Sequence, residues 1–197
     1  TERTKIVAVT HVGNTTGAIT GIAPMVKRAH EVGAVVVLDA CQSVPHLKID
    51  LHALDVDFAA WSAHKMYGPT GVGFLYGKRD MLEALPPANF GGSMVELAWM
   101  DQEAQYMAPP ARFEAGTQPV AQVVAAGVAA EWLMNVGMEN LEAHERVIAG
   151  ELLKMGQIDG VRILGPQTNE QRIGTVAFEI DGVHPHDVGQ FIDAQGI

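Results

Sequence analysis

The stretch AVVVLDACQSVPHLKIDLHALDVDFAAWSAHKMYGPTGVGFLYG, residues 34–77, contains three short apolar runs. Their length and their content of β-branched and aromatic residues predict strands at residues 35–39, 58–62 and 72–76. Strands that are apolar almost throughout are typical of a mostly parallel sheet that is covered on both faces. We therefore predict an α/β fold in which helices cover the sheet.

Outward from this stretch, strands and helices continue to alternate. The further elements predicted on either side are a strand at residues 6–10, a Gly- and Thr-rich turn at residues 13–21, and helices at residues 25–32 and 79–85. Pro24 suits the first turn of the earlier helix, and Gly33 suits its end. This order of elements supports the α/β assignment.

Beyond residue 90 the pattern changes. Residues 91–116 are rich in Met and Pro and lack a clear period, and so long a loop inside a compact domain usually has a function or lies at an interface. After it we predict helices at residues 122–135 and 141–155, strands at residues 161–164 and 175–180, and a helix at residues 187–195. We predict a large domain over residues 1–137 and the beginning of a smaller α/β domain over residues 138–197.

The composition narrows the range of partners and compartments. The chain has 13 Lys and Arg against 23 Asp and Glu, for a formal net charge of −10. Such a surface argues against nucleic-acid binding, which needs clustered basic side chains. The apolar runs are too short to span a bilayer, and the single cysteine, Cys41, fits a reducing compartment. We predict a cytoplasmic protein that binds neither nucleic acid nor membrane.

Lys65 directly follows a predicted strand, within the segment SAHKMYGPTG at residues 62–71. The carboxyl ends of strands form the edge at which α/β sheets bind ligands. A lysine amine at that edge is suited to carbonyl chemistry, because burial favours its neutral, nucleophilic form. Ser62 and His64 add donors suited to a phosphate. Most lysines are nevertheless solvated surface charges, so this segment alone leaves both interpretations open.

Asp39 ends a second apolar strand, where a carboxylate is costly to bury unless a cation or donors pair with it. A protonated pyridine nitrogen is such a cation, and an aspartate partner keeps it protonated so that the ring can accept electrons. Gln42 and Asn14 could donate near the ring oxygen, although turn chemistry also explains these two amides. Asp39 and Lys65 together indicate a cofactor site more strongly than either does alone.

Several sequence blocks share an order and spacing with a known family. They are HVGNTTG (residues 11–17), LDACQ (38–42), SAHK and YGPTG (62–65 and 67–71), GGSM (91–94) and RFEAGT (112–117). These blocks resemble the signatures of class V aminotransferase-like enzymes, which are pyridoxal-phosphate (PLP) enzymes of fold type I. Within that class the whole chain most resembles the SufS branch of cysteine desulfurases, also called selenocysteine lyases.

The resemblance implies a role for each matching residue on the ring side of the cofactor. Lys65 would be the catalytic residue that bonds covalently to the PLP aldehyde. Asp39 would pair with the pyridine nitrogen. Gln42 and Asn14 would lie on the side of the ring oxygen.

The resemblance also implies how the phosphate is bound. Ser62 and His64 would hold it within one subunit. Thr117 would reach the phosphate of the neighbouring subunit, so a homodimer with composite sites is expected. Residues 1–137 would then be part of the PLP-binding large domain, and residues 138–197 an incomplete small C-terminal domain.

The function implied is PLP-dependent conversion of L-cysteine to L-alanine, with sulfur passed on as an enzyme persulfide for iron–sulfur cluster assembly. A sulfur-acceptor protein remains open as a further partner. One alternative is another class V activity, such as that of a selenocysteine lyase, aminotransferase or epimerase. The other is a non-catalytic piece that folds as a structural or partner-binding unit.

The chain departs from the family pattern at three places. Gly13 stands where Ser is usual, Cys41 where Gly or Ala is usual, and Gln118-Pro119 where Pro-Asn is common. The resemblance is to the middle of a longer protein, whose ring-stacking histidine, persulfide-forming cysteine and carboxylate-binding arginine fall outside the matching blocks. We expect Cys41 to serve packing rather than chemistry, because free cysteine is among the most buried residue types.

No metal site is predicted. His184-Pro-His186 brings two imidazoles close together, but no set of Cys or His with zinc spacing accompanies them. We expect this pair to be a polar lead-in to the helix that follows.

Overall fold

The structure is a computed structural model that describes all 197 residues. Its strands and helices are β1 (Ile6–Thr10), α1 (Ile22–Glu31), β2 (Val35–Asp39), β3 (Phe58–Ser62), β4 (Gly73–Gly77), α2 (Arg79–Ala84), β5 (Val95–Leu97), β6 (Gln105–Tyr106), α3 (Val120–Val136), α4 (Met138–Leu153), β7 (Val161–Leu164), β8 (Ala177–Ile180) and α5 (Pro185–Asp193). Short 3-10 turns occupy Ala63–Lys65, Ala111–Phe113 and Lys154–Gln157. The predicted α/β class and its alternation of strands and helices are confirmed.

The main sheet has the strand order β1-β2-β3-β4. β1, β2 and β3 are parallel, whereas β4 runs antiparallel to β3. The direction of β4 has a simple cause, because the turn between β3 and β4 is too short for the crossover that a parallel neighbour requires. The carboxyl ends of the three parallel strands therefore lie side by side along one edge.

One face of this sheet forms the core. Val36 and Leu38 of β2 are fully buried there. α1 covers them with Ile22, Val26 and Ala29, which recur three and four residues apart and so form one apolar stripe. Burying each of the larger side chains stabilises the fold by about 1.5–3 kcal/mol. The helix ends where Gly33 adopts a left-handed conformation.

The opposite face of the sheet is open. Ile6, Ala8 and Thr10 of β1 are exposed, as are Ala60 of β3 and Leu75 of β4. We expected helices on both faces of the sheet, but residues 1–197 supply helices to the core face only. The reason is that α1 and α3 lie on the same side, since α3 borders a groove with Trp61 and Phe74 on the core face.

The stretch from residue 91 to residue 116 contains a small hairpin that the pattern did not predict. β5 and β6 pair antiparallel, with Val95 opposite Tyr106. These strands have only 3 and 2 residues, which is too short to show a period. Arg112 anchors the loop that follows by donating to the carbonyls of Met107, Glu83 and Leu85 at 3.1 Å each.

The chain turns sharply at Gly137, whose φ of +85° separates α3 from α4. Beyond it, β7 and β8 pair antiparallel, and His184 caps α5 by accepting a hydrogen bond from the His186 N–H at 3.2 Å. The prediction that His184-Pro-His186 leads into a helix is thus confirmed. The division into domains between residues 137 and 138 stays a prediction.

No single helix is long and apolar enough to cross a membrane. Only α3 taken together with Met138–Gln157 matches a membrane span in length and composition, and the two are bent by 77° relative to each other.

Candidate active site at the strand ends

Asp39 stands at the centre of the carboxyl-terminal edge of the sheet. In the strand register it lies beside Thr10 of β1 and Ala60 of β3. Its carboxylate accepts hydrogen bonds from the Thr10 hydroxyl at 3.4 Å and from the Cys41 N–H at 3.0 Å. The side chain remains exposed, so its oxygens are open to a further donor.

Asn14 lies at the tip of a short hairpin, residues 11–20, which we call the edge hairpin. Its two arms are joined by the Val12–Ile19 bridge and by a hydrogen bond from the Thr20 N–H to the His11 carbonyl at 2.7 Å. The Gln42 side chain donates to the Asn14 side-chain oxygen. The two amides that the sequence singled out are therefore in direct contact, and the Asn14 NH2 group has no partner within the chain.

Lys65 is the last residue of a 3-10 turn that follows β3 without a break. The turn is held by the buried Ala63, whose carbonyl accepts from the N–H groups of Met66 and Gly68 at 2.9 Å each. Gly68 has no room for a side chain, because a Cβ there would lie 2.9 Å from the same carbonyl. Lys65, which is partly buried, is therefore presented on a tight and well-anchored turn.

Cys41 lies at the same edge and interacts electrostatically with both Asp39 and Lys65. Burial raises the pKa of its thiol, and the Asp39 carboxylate raises that pKa further. The Ser62 hydroxyl and the Lys65 ammonium act on the same thiol in the opposite direction and lower its pKa. Because Asp39, Ser62 and Lys65 all affect the pKa of this thiol, Cys41 lies among the candidate cofactor residues. Its raised pKa leaves less of the thiol ionised and so makes it a poor nucleophile.

A shallow cleft of about 360 Å³ opens on the exposed sheet face below this edge. Its lining combines the Asp39 carboxylate with mostly small or β-branched residues, together with Leu38: Ala8, Val9, Thr10, Val37, Cys41 and Ala60. Such a surface suits a planar aromatic ring that presents one N–H to a carboxylate. The residues present therefore fit the pyridine ring of PLP. The Lys65 amine, the amides of Asn14 and Gln42 and the Ser62 hydroxyl do not line this cleft but lie at the adjoining strand ends, where they suit the remaining polar groups of the cofactor.

The structure brings most of the predicted site residues together, but not all. Asn14, Asp39, Gln42, Ser62 and Lys65 share the edge, and His64 lies beside them in the 3-10 turn with its side chain exposed.

Thr117 is the exception among the predicted site residues. It sits on an exposed loop tied down by a bond of 2.8 Å from the Gly116 N–H to the Gly92 carbonyl. No hydrogen bond joins Thr117 to the other site residues.

Sequence reasoning missed two neighbours of the site. Thr10 donates to Asp39, and the parallel register of β1 and β2 was the signal that could have found it. His11 is buried with its Nδ1 atom unpartnered, and burial lowers its pKa. No group of three or more His, Cys, Asp or Glu side chains is arranged to hold a metal ion.

Comparison with known proteins finds, along the whole chain, the family that the sequence blocks resemble. The family model for aminotransferase class-V matches residues 1–197. The probable cysteine desulfurase 2 of Mycobacterium leprae is 51% identical over 197 residues, which is 100% of this chain and 47% of the relative. The probable cysteine desulfurase of Streptomyces coelicolor is 44% identical over 198 residues, again with 100% and 47% covered.

Solved structures agree with the sequence comparison. The apo cysteine desulfurase of Thermococcus onnurineus matches with a TM-score of 0.93 and 32% identity, over 98% of this chain and 48% of that one. The cysteine desulfurase CsdA of Escherichia coli matches with a TM-score of 0.89 and 35% identity, over 100% and 48%. The chain spans about half the length of the curated relatives it matches.

Proposed function

Because this chain belongs to the aminotransferase class-V family, we propose that it forms the cofactor-binding part of a PLP-dependent cysteine desulfurase. The observation that carries the proposal is the meeting of a lysine, a carboxylate and an amide pair at the carboxyl ends of adjacent parallel strands. The names of the relatives, all cysteine desulfurases in the comparisons above, favour this activity over others of the class.

Each residue of the edge has a task that its chemistry suits. When bound, PLP supplies a protonated ring that withdraws electrons from the bonds of an attached amino acid. The Asp39 carboxylate would accept from the ring N–H and keep that proton in place. Gln42 and Asn14 would donate to the ring oxygen, while Ser62 and His64 would donate to the phosphate.

Lys65 has two tasks in this proposal. Its amine would hold the cofactor aldehyde in the resting enzyme. Once a substrate has taken its place, the free amine would move a proton at the substrate α-carbon, which is the work of a positioned base and acid.

The finer parts of the proposal concern sulfur. We propose the SufS type, in which L-cysteine and an enzyme thiol give L-alanine and an enzyme persulfide. The carbon–sulfur bond of the substrate breaks and a sulfur–sulfur bond forms between the substrate sulfur and the enzyme thiol. The thiol gives up its proton and the β-carbon gains one to become the methyl group of alanine, so the step balances without an external oxidant. We propose that Cys41 is not that thiol, because it lies between Asp39 and Gln42 directly after β2 and its N–H is bonded to the Asp39 carboxylate. Burial and that carboxylate also raise the pKa of its thiol, which disfavours the thiolate.

The proposed partners are those that the resemblance to the SufS branch implies. A homodimer would let Thr117 reach the phosphate held by the neighbouring subunit. A sulfur-acceptor protein would then take the persulfide sulfur towards iron–sulfur clusters.

Borohydride reduction of the full-length gene product after addition of PLP tests the site. Peptide mapping should find the cofactor on Lys65, and the Lys65→Ala variant should lose it. The matched control is Lys48→Ala, which removes an exposed lysine paired with Glu139. An adduct on Lys48 or Lys78 instead of Lys65 would contradict the assignment.

Product analysis then tests the reaction. With L-cysteine and a reductant, the full-length gene product should release alanine and sulfide in equal amounts. Transfer of the amino group to the cofactor with formation of a 2-oxo acid would identify an aminotransferase instead.

A further inference from the structure

The edge hairpin is paired on its outer side with a distant part of the chain. The Ile19 N–H donates to the Gln171 carbonyl at 2.9 Å, and the Ile173 N–H donates to the Gly17 carbonyl at 3.0 Å. We call residues 171–175 the clamp segment. Backbone hydrogen bonds thus join the hairpin that carries Asn14 to residues more than 150 positions later in the sequence.

Arg172 is the charged centre of the clamp segment, and only 2% of its surface is exposed. Its guanidinium donates to three backbone carbonyls: Thr16 at 2.6 Å, Pro166 at 2.6 Å and Thr175 at 2.7 Å. No carboxylate forms a salt bridge with it, and burial lowers its pKa. A buried cation without an anion is costly, so the three carbonyls must be held where they face it.

The edge hairpin packs tightly against the clamp segment and the loop after β7, with no room for an added Cβ at two glycines. A Cβ on Gly17 would lie 2.5 Å from the Thr175 carbonyl oxygen. A Cβ on Gly165 would lie 2.9 Å from the Thr16 Cβ. Thr16 is therefore held both by the Arg172 guanidinium and by direct contact with the loop after β7.

The clamp segment is also tied to the other side of the amide pair. Glu145 of α4 accepts from the Gly174 N–H at 2.8 Å and pairs with the His46 ring at 2.9 Å. His46 lies four residues after Gln42, in the turn that follows β2. Both loops that carry the amide pair are therefore joined to the residues around Arg172.

We propose that Arg172 is a positioning residue that holds Asn14, and through it Gln42, in place at the cofactor edge. The role of Asn14 towards the ring oxygen is part of the proposed function, and this inference rests on it in that respect. The anchoring of the hairpin by the Thr16 carbonyl rests on the contacts alone. Through this anchor the residues beyond α4 act on the cofactor site without touching it.

The first measurement follows the hairpin itself, in the full-length gene product before PLP is added. Hydrogen–deuterium exchange of the amides at residues 17–19 should speed up in Arg172→Met, which removes all three donors. Arg172→Lys keeps the charge but places its donors on a single nitrogen, which cannot face all three carbonyls at once, so its exchange should be intermediate. The matched control is Arg162→Met, which removes an exposed arginine of β7 paired with Glu179 and should leave residues 17–19 unchanged.

The second measurement follows PLP. Its Kd should rise about tenfold or more in Arg172→Met, as is found for groups that orient the ligands of bound metals. The absorption band of the Lys65-bound cofactor and its pH titration should shift as well, which a purely structural role would not produce. In an Asn14→Ala background the same substitution should add little to either change, because the two residues act as one unit.

Each outcome decides a separate step. Unchanged exchange at residues 17–19 in both Arg172 variants would overturn the anchor. Faster exchange with an unchanged Kd and spectrum, or effects that add fully to Asn14→Ala, would overturn the positioning role while leaving the proposed function intact. A wild-type protein without cofactor on Lys65 would overturn the proposed function and the positioning role together, whereas the exchange data would still decide the anchor.

Discussion

At the scale of single residues, Asp39 is held loosely by the chain and is free for a ligand. Its partners are one hydroxyl at 3.4 Å and one backbone N–H at 3.0 Å, and its side chain is exposed. A carboxylate that serves the fold would be expected to have closer and more numerous partners. This arrangement supports a role towards a bound group rather than towards stability.

We expect Asp39→Asn to keep the fold and to lower kcat by about 100-fold or more, because it removes the charge that keeps the ring protonated. Unfolding temperature and steady-state turnover of the full-length gene product measure the two effects. Asp50→Asn, which changes an exposed carboxylate in a turn, is the control. Near-normal turnover with an unchanged cofactor spectrum would mean that Asp39 does not face the ring.

Cys41 should react slowly with iodoacetamide. Burial and the Asp39 carboxylate raise its pKa, so at pH 8 less of the thiol is ionised than in a free cysteine. We expect alkylation of Cys41, followed by mass spectrometry, to be slower than that of N-acetylcysteine, and to speed up in Asp39→Asn. Alkylation faster than the reference thiol would refute the packing role.

At the scale of elements, tight contacts between turns hold the site as much as the strands do. Gly17 adopts a φ of +68°, and Gly33 a similar φ of +70°. A Cβ on Gly33 would meet nothing within 4 Å, whereas one on Gly17 would collide with the clamp segment. The two glycines therefore separate the effect of backbone conformation from that of packing.

Gly33→Ala should cost about 1–2 kcal/mol of unfolding free energy, from the left-handed backbone alone. Gly17→Ala should cost about 2 kcal/mol more, because its Cβ overlaps a backbone oxygen and the clamp must shift. Urea unfolding of the full-length gene product compares the two variants directly. Equal losses would show that the hairpin and the clamp can separate freely.

At the opposite end of the sheet, Asp57 ties three elements together. Its carboxylate, 4% exposed, accepts from the Val36 N–H at 2.7 Å, from Lys78 at 2.9 Å and from the His30 ring of α1 at 3.0 Å. Burial alone would raise the pKa of Asp57. The hydrogen bonds from Lys78, Val36 and His30 outweigh it and hold that pKa below its usual range.

This lowered pKa predicts acid sensitivity. The unfolded chain binds the proton at about pH 4, so the stabilisation is complete above that pH and is lost as the pH falls further, through the folded-state pKa. Asp57→Asn should lose about 1–3 kcal/mol at pH 7 and show a weaker dependence on acid. Urea unfolding at pH 7 and at acid pH tests this, with the exposed Glu31→Gln as control. An unchanged acid slope in Asp57→Asn would exclude the network as its cause.

At the scale of the whole molecule, apolar surface is unevenly distributed. The outer face of the main sheet exposes Ile6 and Leu75, and α3 exposes Val124, Trp132 and Met134. Exposed apolar surface of this kind typically marks an interface. The part of this surface on the sheet belongs to the same sheet whose strand ends carry the candidate site, whereas α3 carries none of the candidate residues.

Residues 1–197 produced alone should release alanine from L-cysteine at about 1% or less of the rate of the full-length gene product. The physical reason is that their one thiol, Cys41, has a raised pKa, and loss of one member of a cooperating catalytic set removes most of the activity. Alanine release with added PLP and reductant, measured side by side, is the assay. Comparable rates would contradict the desulfurase proposal.

The sequence by itself determined the elements and the main members of the candidate site. Apolar runs and glycine positions are local signals, so β1, β2 and β3 were predicted to the residue and the end of α1 to within one residue, whereas α1 begins at Ile22, three residues before its predicted start. Asp39 and Lys65 could be assigned to one edge because parallel strands bring their carboxyl ends together. The β5–β6 hairpin escaped prediction because its strands are shorter than one period.

Only the tertiary structure decided how these parts are held. The open outer face of the sheet follows from α1 and α3 lying on one side, which no local pattern records. The contact of Arg172 with Thr16 joins residues 156 positions apart. The sequence does not distinguish a buried arginine that donates to backbone carbonyls from a solvated arginine. The carbonyls that accept from it are main-chain atoms, which every residue has, so their residue types give no signal either. Such a contact is specified by the packing of the whole chain, and so it appears only when the chain is folded.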